Sequence, residues 1–417
     1  MPAASGRATM RENVRAMPSS AWVLFAGTFV NRLGTFVFPF MVLYLTGELG
    51  YSVPQAGVVL AMYGLGGFVS QVIGGWLTDR FGRRNTIGFA MLSAAGLTLL
   101  LWQASSLVLI AGLMFLLALV AEIHRPAASA LIADVVPSER RVTAFALFRL
   151  AINVGWAVGL ALGGLLADRS FTLLFVGDAV TSATFGVISL VALPHGVRTS
   201  RHEERHLGGA TRAILADRGF LLFLGSILIG STIYMQNVST FPLHIRDADF
   251  SNTTYGLLQA LNGAIVVLLE LPVSAWTQRR SRTSMVGLGG LLVGIAFASL
   301  LVADTVPLLV VMVLVWTIGE IVSSPPASAF VADRALEHTR GRYQASLGMM
   351  FSLGAVIGPV AGTAVYSVDP AVLWVGCGLA GVASLGLALA AGRVPGPPAG
   401  PGALRAAGAV DTPPRSG

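Results

Sequence analysis

The segment Gly75-Trp76-Leu77-Thr78-Asp79-Arg80-Phe81-Gly82-Arg83-Arg84 is a short charged break between two long apolar runs. The run before it covers residues 54–77, and the run after it covers residues 86–104. Both runs have about the 20 residues that a helix needs to cross the hydrocarbon core of a membrane. The pattern predicts two membrane helices joined by a tight charged turn, and it repeats along nearly the whole chain.

The composition agrees with a chain that is dissolved largely in lipid. Of the 417 residues, 54% are apolar and only 11% are charged, against about 25% charged residues in a soluble domain. The net charge of +7 comes with no lysine at all and lies mainly at loop positions, so it does not indicate nucleic-acid binding. The sequence therefore predicts an all-α membrane protein with a lipid bilayer as its main surroundings.

Twelve apolar runs are long enough to be membrane spans, with polar segments at the two ends and in the middle. We expect a tail at 1–19, a first six-helix half at 20–193, a connector at 194–216, a second six-helix half at 217–392 and a disordered tail at 393–417. The predicted spans are 20–46, 54–77, 86–104, 106–133, 141–166, 170–193, 217–245, 252–276, 283–303, 305–332, 341–366 and 369–392.

Arginine placement predicts the orientation of the spans. Twenty-two of the 27 arginines lie in the two tails, the connector and the loops that follow even-numbered spans, whereas the opposite loops hold only Arg169 and Arg246. Loops that stay in the cytoplasm carry the excess of positive charge. Both termini and the connector are therefore expected in the cytoplasm.

The two halves share an internal repeat at an offset of 199 residues. Asp134 corresponds to Asp333, and Arg83 corresponds to Arg282, without any gap. A parallel repeat of six helices is typical of transporters in which two halves rock around a central site.

The charged break at 75–84 resembles the signature loop of the major facilitator superfamily, G-x-L-x-D-R-x-G-R-R. The resemblance implies that family's fold, with about twelve helices in two six-helix halves. It also implies a conformational latch in which Asp79 faces the start of the eleventh helix and Arg83 pairs with Asp134. In the second half Gln278 replaces the aspartate, but the Arg282 and Asp333 pair remains. The latch residues are Gly75, Asp79, Arg80, Gly82, Arg83, Arg84, Asp134, Arg282 and Asp333.

Glycines recur every four residues in the fifth and eleventh spans. The fifth span resembles the antiporter motif of the same family, although Leu160 stands where that motif has proline. Such glycines let helices pack closely, so either ordinary packing or a hinge surface explains them. The set is Gly155, Gly159, Gly163, Gly354, Gly358, Pro359 and Gly362.

Several acidic groups fall inside predicted spans, where charge is costly and usually functional. Glu320 has no basic neighbour in its own span and is the first candidate for proton coupling. Glu122 precedes Arg125 by three residues, so the two could instead form a structural pair. Glu270 lies near the cytoplasmic end of its span, and Asp178 is the remaining candidate.

Polar and aromatic groups on the expected cavity helices are candidates for substrate contact. A mixed apolar and polar wall suits amphipathic molecules. The candidates are Asn31, Arg32, Phe36, Arg149, Tyr234, Gln236, Asn237, Gln259 and Asn262.

The function most consistent with these features is secondary transport. The resemblance is strongest to bacterial multidrug efflux, which implies proton-coupled export of small molecules from a bacterial cell through its inner membrane. Uptake of a nutrient with protons is the alternative, and a membrane enzyme or receptor is a more remote one. The H-E-x-x-H pattern at His202–His206 lies in the short connector, where no third zinc ligand is evident. We expect no enzyme activity, metal, cofactor or nucleic-acid partner, and a functional monomer.

Overall fold

The computed structural model describes residues 10–195, 214–335 and 340–395, and these residues are almost entirely helical. The predicted number of twelve membrane spans is confirmed. The H-E-x-x-H pattern at 202–206, most of the connector and most of both tails lie outside the described residues. The spans are Ser19–Glu48, Val53–Gly74, Arg83–Gln103, Leu107–Val135, Ser138–Ala167, Phe171–Ala192, Arg218–Asp247, Asn252–Thr277, Arg282–Leu301, Val306–Arg334, Gly341–Val368 and Pro370–Arg393.

The first and seventh spans are broken helices, which the sequence did not predict. The first span ends one helix at Leu33 and starts the next at Val37. Pro39 has no backbone N–H to donate to the carbonyl group of Thr35, so a continuous helix would lose a hydrogen bond there. The seventh span consists of the helices Arg218–Tyr234, Gln236–Ser239 and Phe241–Asp247. The first break of the seventh span lies 199 residues after the break in the first, so the internal repeat extends to this irregularity.

The second helix continues beyond its predicted end and runs from Val53 to Phe81. The charged segment is therefore mostly the last turns of a helix, and only Gly82 separates it from the third helix. Gly82 has a φ of 83°, a backbone conformation that residues with a Cβ atom adopt at a cost. The sharp turn between the second and third spans depends on this glycine.

The glycines of the fifth and eleventh spans pack within each half. A Cβ atom at Gly159 would lie 2.7 Å from the carbonyl oxygen of Arg32, so the fifth span lies directly against the first. A Cβ atom at Gly358 would lie 2.6 Å from the Cβ atom of Met235, so the eleventh span packs in the same way against the seventh. Each broken span is therefore supported by a glycine-rich partner from its own half.

The two halves meet mainly through two pairs of spans, the second with the eleventh and the fifth with the eighth. They also close over each other at the end of the bundle that carries few arginines, which we call the arginine-poor end. There Asp168 accepts hydrogen bonds from the backbone N–H groups of Asn252 and Thr253, at 2.8 and 2.9 Å. Arg246 donates to Thr46 at 2.7 Å. These bonds join the first half to the second and seal this end.

Candidate functional site

A cavity of about 330 Å³ lies between the two halves, near the middle of the spans. We call it the central cavity. Four spans of the first half and three of the second contribute to its wall. Its lining residues are Arg32, Thr35, Phe38, Tyr63, Glu122, Arg125, Ile152, Asn153, Trp156, Tyr234, Asn262, Gly263, Val266 and Glu320.

The first half contributes the positive charges of this cavity. Arg125 donates to a carboxylate oxygen of Glu122 at 2.9 Å, so the pair predicted from the spacing of three residues is present. Arg32 lies beside this pair and is only 8% exposed. The charges of Glu122 and Arg125 compensate each other. Arg32, by contrast, forms no ion pair with any acidic residue that the structure describes.

The second half contributes Glu320, which is held by neutral groups. Asn262 donates a hydrogen bond to one carboxylate oxygen of Glu320 at 3.0 Å, and the hydroxyl group of Tyr234 lies 3.5 Å from the other. Thr317, one turn before Glu320, accepts a second hydrogen bond from Asn262 and so fixes the amide in place. Among the described residues, no arginine or histidine lies within ion-pair distance of Glu320.

The other two acidic candidates have partners of their own. Glu270 forms an ion pair with Arg149, which joins the eighth span to the fifth across the two halves. Asp178 accepts hydrogen bonds from the backbone N–H of Val37 and from the Ser182 hydroxyl group, at 3.4 and 3.3 Å. Asp178 thus caps the second helix of the broken first span. It lines a smaller cavity of about 40 Å³, next to the central one.

Six of the nine residues predicted to contact substrate do not line the central cavity, among them Phe36 and three amides of the seventh and eighth spans. The ring of Phe36 packs against Gly163 and Gly177, because the helix break before Val37 turns Phe36 towards the fifth and sixth spans. Gln236 donates to the carbonyl of Gly358, and Gln259 donates to that of Asn237. Asn237 donates to the carbonyl of Tyr234. These three amides satisfy the backbone of the broken seventh span and its neighbours.

Asn31 is also away from the central cavity. It donates to the Ser182 hydroxyl group at 3.2 Å and lines the smaller cavity with Asp178. Arg32, Tyr234 and Asn262 are the predicted contact residues that do line the central cavity. Arg149 does not line the central cavity and is paired with Glu270 instead.

Sequence reasoning missed most of the aromatic wall. Tyr63 stacks on Phe38 with ring centroids 4.2 Å apart, and Trp156 also lines the central cavity. A tyrosine in the middle of an apolar span was the available signal for Tyr63, because its hydroxyl group needs a partner inside the membrane. No comparable signal identified Phe38, since its direction depends on the break in the first span.

The expected latch is only partly described. Arg83 pairs with Asp134 at 3.1 Å, and Arg282 pairs with Asp333 in the second half. Arg80 lies over the ring of Trp76, and Arg84 donates to Asn85. The side chain of Asp79 and the surroundings of Gly75 lie outside the described part of the structure, so the contact expected for Asp79 stays a prediction.

The central cavity is accessible from the arginine-rich end of the bundle. Arg125 and Arg149 lie towards that end, and their side chains are 58% and 60% exposed. At the arginine-poor end, the hydroxyl group of Tyr255 lies between two carbonyl groups, that of Pro39 in the other half at 3.3 Å and that of Asn237 at 3.0 Å. Tyr255 itself is fully buried. The central cavity is thus open at one end of the bundle and closed at the other.

Comparison of the sequence with known proteins gives one family and several related transporters. The family model described as Major Facilitator Superfamily matches residues 24–251 and 222–416. The chain is 29% identical to the MFS-type transporter YqjV of Bacillus subtilis over 82% of this chain and 85% of that protein. It is 26% identical to a Na(+), Li(+), K(+)/H(+) antiporter of Planococcus maritimus, over 80% and 86%. It is 23% identical to the multidrug resistance protein MdtH of Salmonella arizonae, over 79% and 82%.

Solved structures show the same fold at lower sequence identity. The nucleoside transporter NupG aligns with a TM-score of 0.77 at 16% identity, covering 91% of this chain and all of that one. A bacterial homologue of the lysosomal transporter Spinster, in an inward-facing and unoccupied conformation, aligns with a TM-score of 0.71 at 14% identity, over 90% and 95%. At these identities the likeness concerns the fold alone.

Proposed function

The chain belongs to the major facilitator superfamily of membrane transporters, and we propose that it exports small amphipathic molecules in exchange for protons. The observation that carries this proposal is the position of Glu320. Its carboxyl group faces the central cavity between the halves and is held by Asn262 and Tyr234 rather than by a cation. A carboxyl group placed in this way can exchange a proton for a polar group of a substrate.

Glu320 is a better proton carrier than Glu122 or Glu270 because its charge is not compensated by a neighbouring cation. Glu122 is paired with Arg125, and Glu270 is paired with Arg149. A central acidic group costs roughly 2.5–3.5 kcal/mol to insert into a membrane when it is charged. Binding of either a proton or a cationic part of a substrate neutralises the Glu320 carboxylate and removes this cost. Because the proton and the substrate compete for the same carboxyl group, the movement of one is coupled to the opposite movement of the other, as in an antiporter.

The position of the cavity supports alternating access. Ions and substrates of such transporters bind near the middle of the membrane, at the junction of the repeats. The central cavity takes Arg32, Tyr63 and Glu122 from the first half and Asn262 and Glu320 from the second. Rocking of the halves would open the sealed arginine-poor end and close the other around the same residues.

Export is the direction favoured by the available relatives and by the charge pattern. The arginine-rich end, which is the open one, is expected to face the cytoplasm. Among the relatives, the name of MdtH refers to multidrug resistance, and that of the Planococcus protein to exchange of cations for protons. Uptake with protons in the same direction remains the second candidate.

Proteoliposomes with an imposed pH gradient test the proposal. We expect the gradient to drive uphill movement of norfloxacin or ethidium, opposite to the flow of protons. Glu320→Gln keeps the shape of the side chain but cannot titrate, so it should abolish gradient-driven transport while substrate binding remains. Glu122→Gln is measured in parallel as the competing carrier.

Three results would contradict parts of the proposal. Movement of probe and proton in the same direction would indicate symport. Proton exchange with sodium or potassium alone would indicate a cation antiporter. Full gradient-driven transport by Glu320→Gln, together with its loss in Glu122→Gln, would move the proton-carrying role to Glu122.

A further inference from the structure

Arg32 is a buried cation in the central cavity whose hydrogen bonds are unused. It is 8% exposed and lies at the end of the helix Ser19–Leu33, just before the break in the first span. Its Nε and Nη2 atoms have no hydrogen-bond partner among the described residues. The side chain lines both the central cavity and the smaller cavity beside it.

The nearby acidic groups do not supply the missing partner. Glu122 is bonded to Arg125, and Asp178 accepts from the Val37 backbone and the Ser182 hydroxyl group. Neither carboxylate forms an ion pair with Arg32. A buried charge without a partner is costly and is normally paired or hydrogen-bonded. The arginine side chain is therefore held ready for a group that comes from outside the protein.

The chemistry of arginine indicates what that group is. Its planar fork of N–H donors matches the two oxygens of a carboxylate or the oxygens of a phosphate, and it has no acceptor. Two unused donor atoms on one guanidinium suit such a group. We propose that Arg32 is the binding subsite for an acidic group of the transported molecule.

The opposite wall completes the description of the substrate. Glu320 and Asn262 belong to the second half and face the same cavity as Arg32, with the stacked rings of Phe38 and Tyr63 in the apolar part of the wall. A molecule that contacts both walls carries an acidic group at one end and a cationic or hydrogen-bond-donating group at the other. The substrate class is thus dipolar and amphipathic rather than simply cationic.

This inference rests on the proposed function in one respect, because it takes the central cavity to be the transport site. It also fits an exchange of substrate for protons. The acidic group of the substrate neutralises Arg32, while its cationic group and the proton compete for Glu320. A volume of about 330 Å³ lies within the range of about 300–1,000 Å³ that small-molecule sites occupy.

Equilibrium binding to the purified protein, without any gradient, tests the subsite. The probes are norfloxacin, which carries a carboxylate and an amine, and its methyl ester, which keeps the amine and lacks the acid. We expect the wild type to bind the acid about tenfold or more tightly than the ester, in line with a hydrogen bond to a charged group. Arg32→Gln should remove this preference and leave the affinity for the ester nearly unchanged.

Two further variants keep the test decisive. Arg140→Gln removes an exposed arginine that does not line the cavity, and should keep the full preference for the acid. Arg32→Lys retains the charge without the planar fork, so it should give an intermediate preference. It also serves if Arg32→Gln fails to fold.

The results separate this inference from the proposed function. Equal binding of acid and ester by the wild type, a preference that survives in Arg32→Gln, or no binding of norfloxacin would overturn the subsite. A preference for the acid that depends on Arg32, combined with transport that does not respond to a pH gradient, would instead refute proton exchange and leave the subsite standing.

Discussion

At the scale of single residues, the two halves carry the same ion pair in different surroundings. Arg83 and Asp134 pair at 3.1 Å with side chains 7% and 20% exposed. The related side chains of Arg282 and Asp333 are 40% and 63% exposed. Removing one partner of a buried pair leaves an uncompensated charge, which costs roughly 3–5 kcal/mol. Exposed pairs contribute about 0–1 kcal/mol.

We therefore expect Asp134→Asn to lower thermal stability much more than Asp333→Asn does. The reason is that the side chains of Arg83 and Asp134 are largely buried, whereas those of Arg282 and Asp333 are already partly hydrated. Thermal unfolding of both variants in the same detergent measures the difference, and Asp333→Asn is the matched control. Equal shifts of the two unfolding midpoints would show that burial does not set the contribution of these pairs.

The residues of the candidate site were predictable to the extent that charge marks them. Arg32, Glu122 and Glu320 stood out because charged groups are rare within membrane spans, and all three line the central cavity. Phe38, Tyr63 and Trp156 did not stand out, since aromatic residues are common on every face of a membrane helix. Polarity alone does not mark a cavity residue at Gln236, because its amide donates to the carbonyl of Gly358.

At the scale of elements, the spans were predictable and their breaks were not. Length and hydropathy determine a crossing, so all twelve appeared in the sequence. A break depends on local backbone geometry, as at Pro39, and on a partner such as Asp178 that caps the new helix from another span. That contact joins residues 141 positions apart, so no local pattern reveals it.

The packing of the fifth span on the first provides a prediction at this scale. We expect Gly159→Ala to destabilise the protein by about 1–3 kcal/mol, the usual cost of overpacking. The added methyl group would lie 2.7 Å from the carbonyl oxygen of Arg32 and 2.8 Å from that of Leu33, and backbone atoms cannot easily move aside.

Gly96→Ala is the matched control, because no heavy atom lies within 4 Å of a Cβ atom placed there. Thermal unfolding and the yield of folded protein measure both variants. A Gly159→Ala variant as stable as Gly96→Ala would show that the fifth span is not pressed against the end of the first helix.

At the scale of the whole molecule, transport by alternating access requires the arginine-poor end to open. That end is closed by bonds between the halves, among them a contact between the Asp168 carboxylate and the Thr253 hydroxyl group at 2.5 Å. Asp168, at the end of the fifth span, also accepts hydrogen bonds from two backbone N–H groups at the start of the eighth span. A covalent link at this position would prevent the halves from separating here.

We expect the double variant Asp168→Cys and Thr253→Cys, in a Cys377→Ser background, to lose transport on oxidation and to recover it on reduction. Each single cysteine variant, oxidised in the same way, should stay as active as its reduced form.

A second double variant, Ser226→Cys and Ser384→Cys, is the matched control, because these hydroxyl oxygens lie 3.0 Å apart within the second half. Rocking of rigid halves keeps that pair together, so its disulfide should leave transport largely intact. The assay is transport in proteoliposomes, with disulfide formation followed by mass spectrometry. Full transport by the protein linked between residues 168 and 253 would show that the substrate leaves by a route that does not separate the fifth and eighth spans, and rocking of the halves would then be wrong.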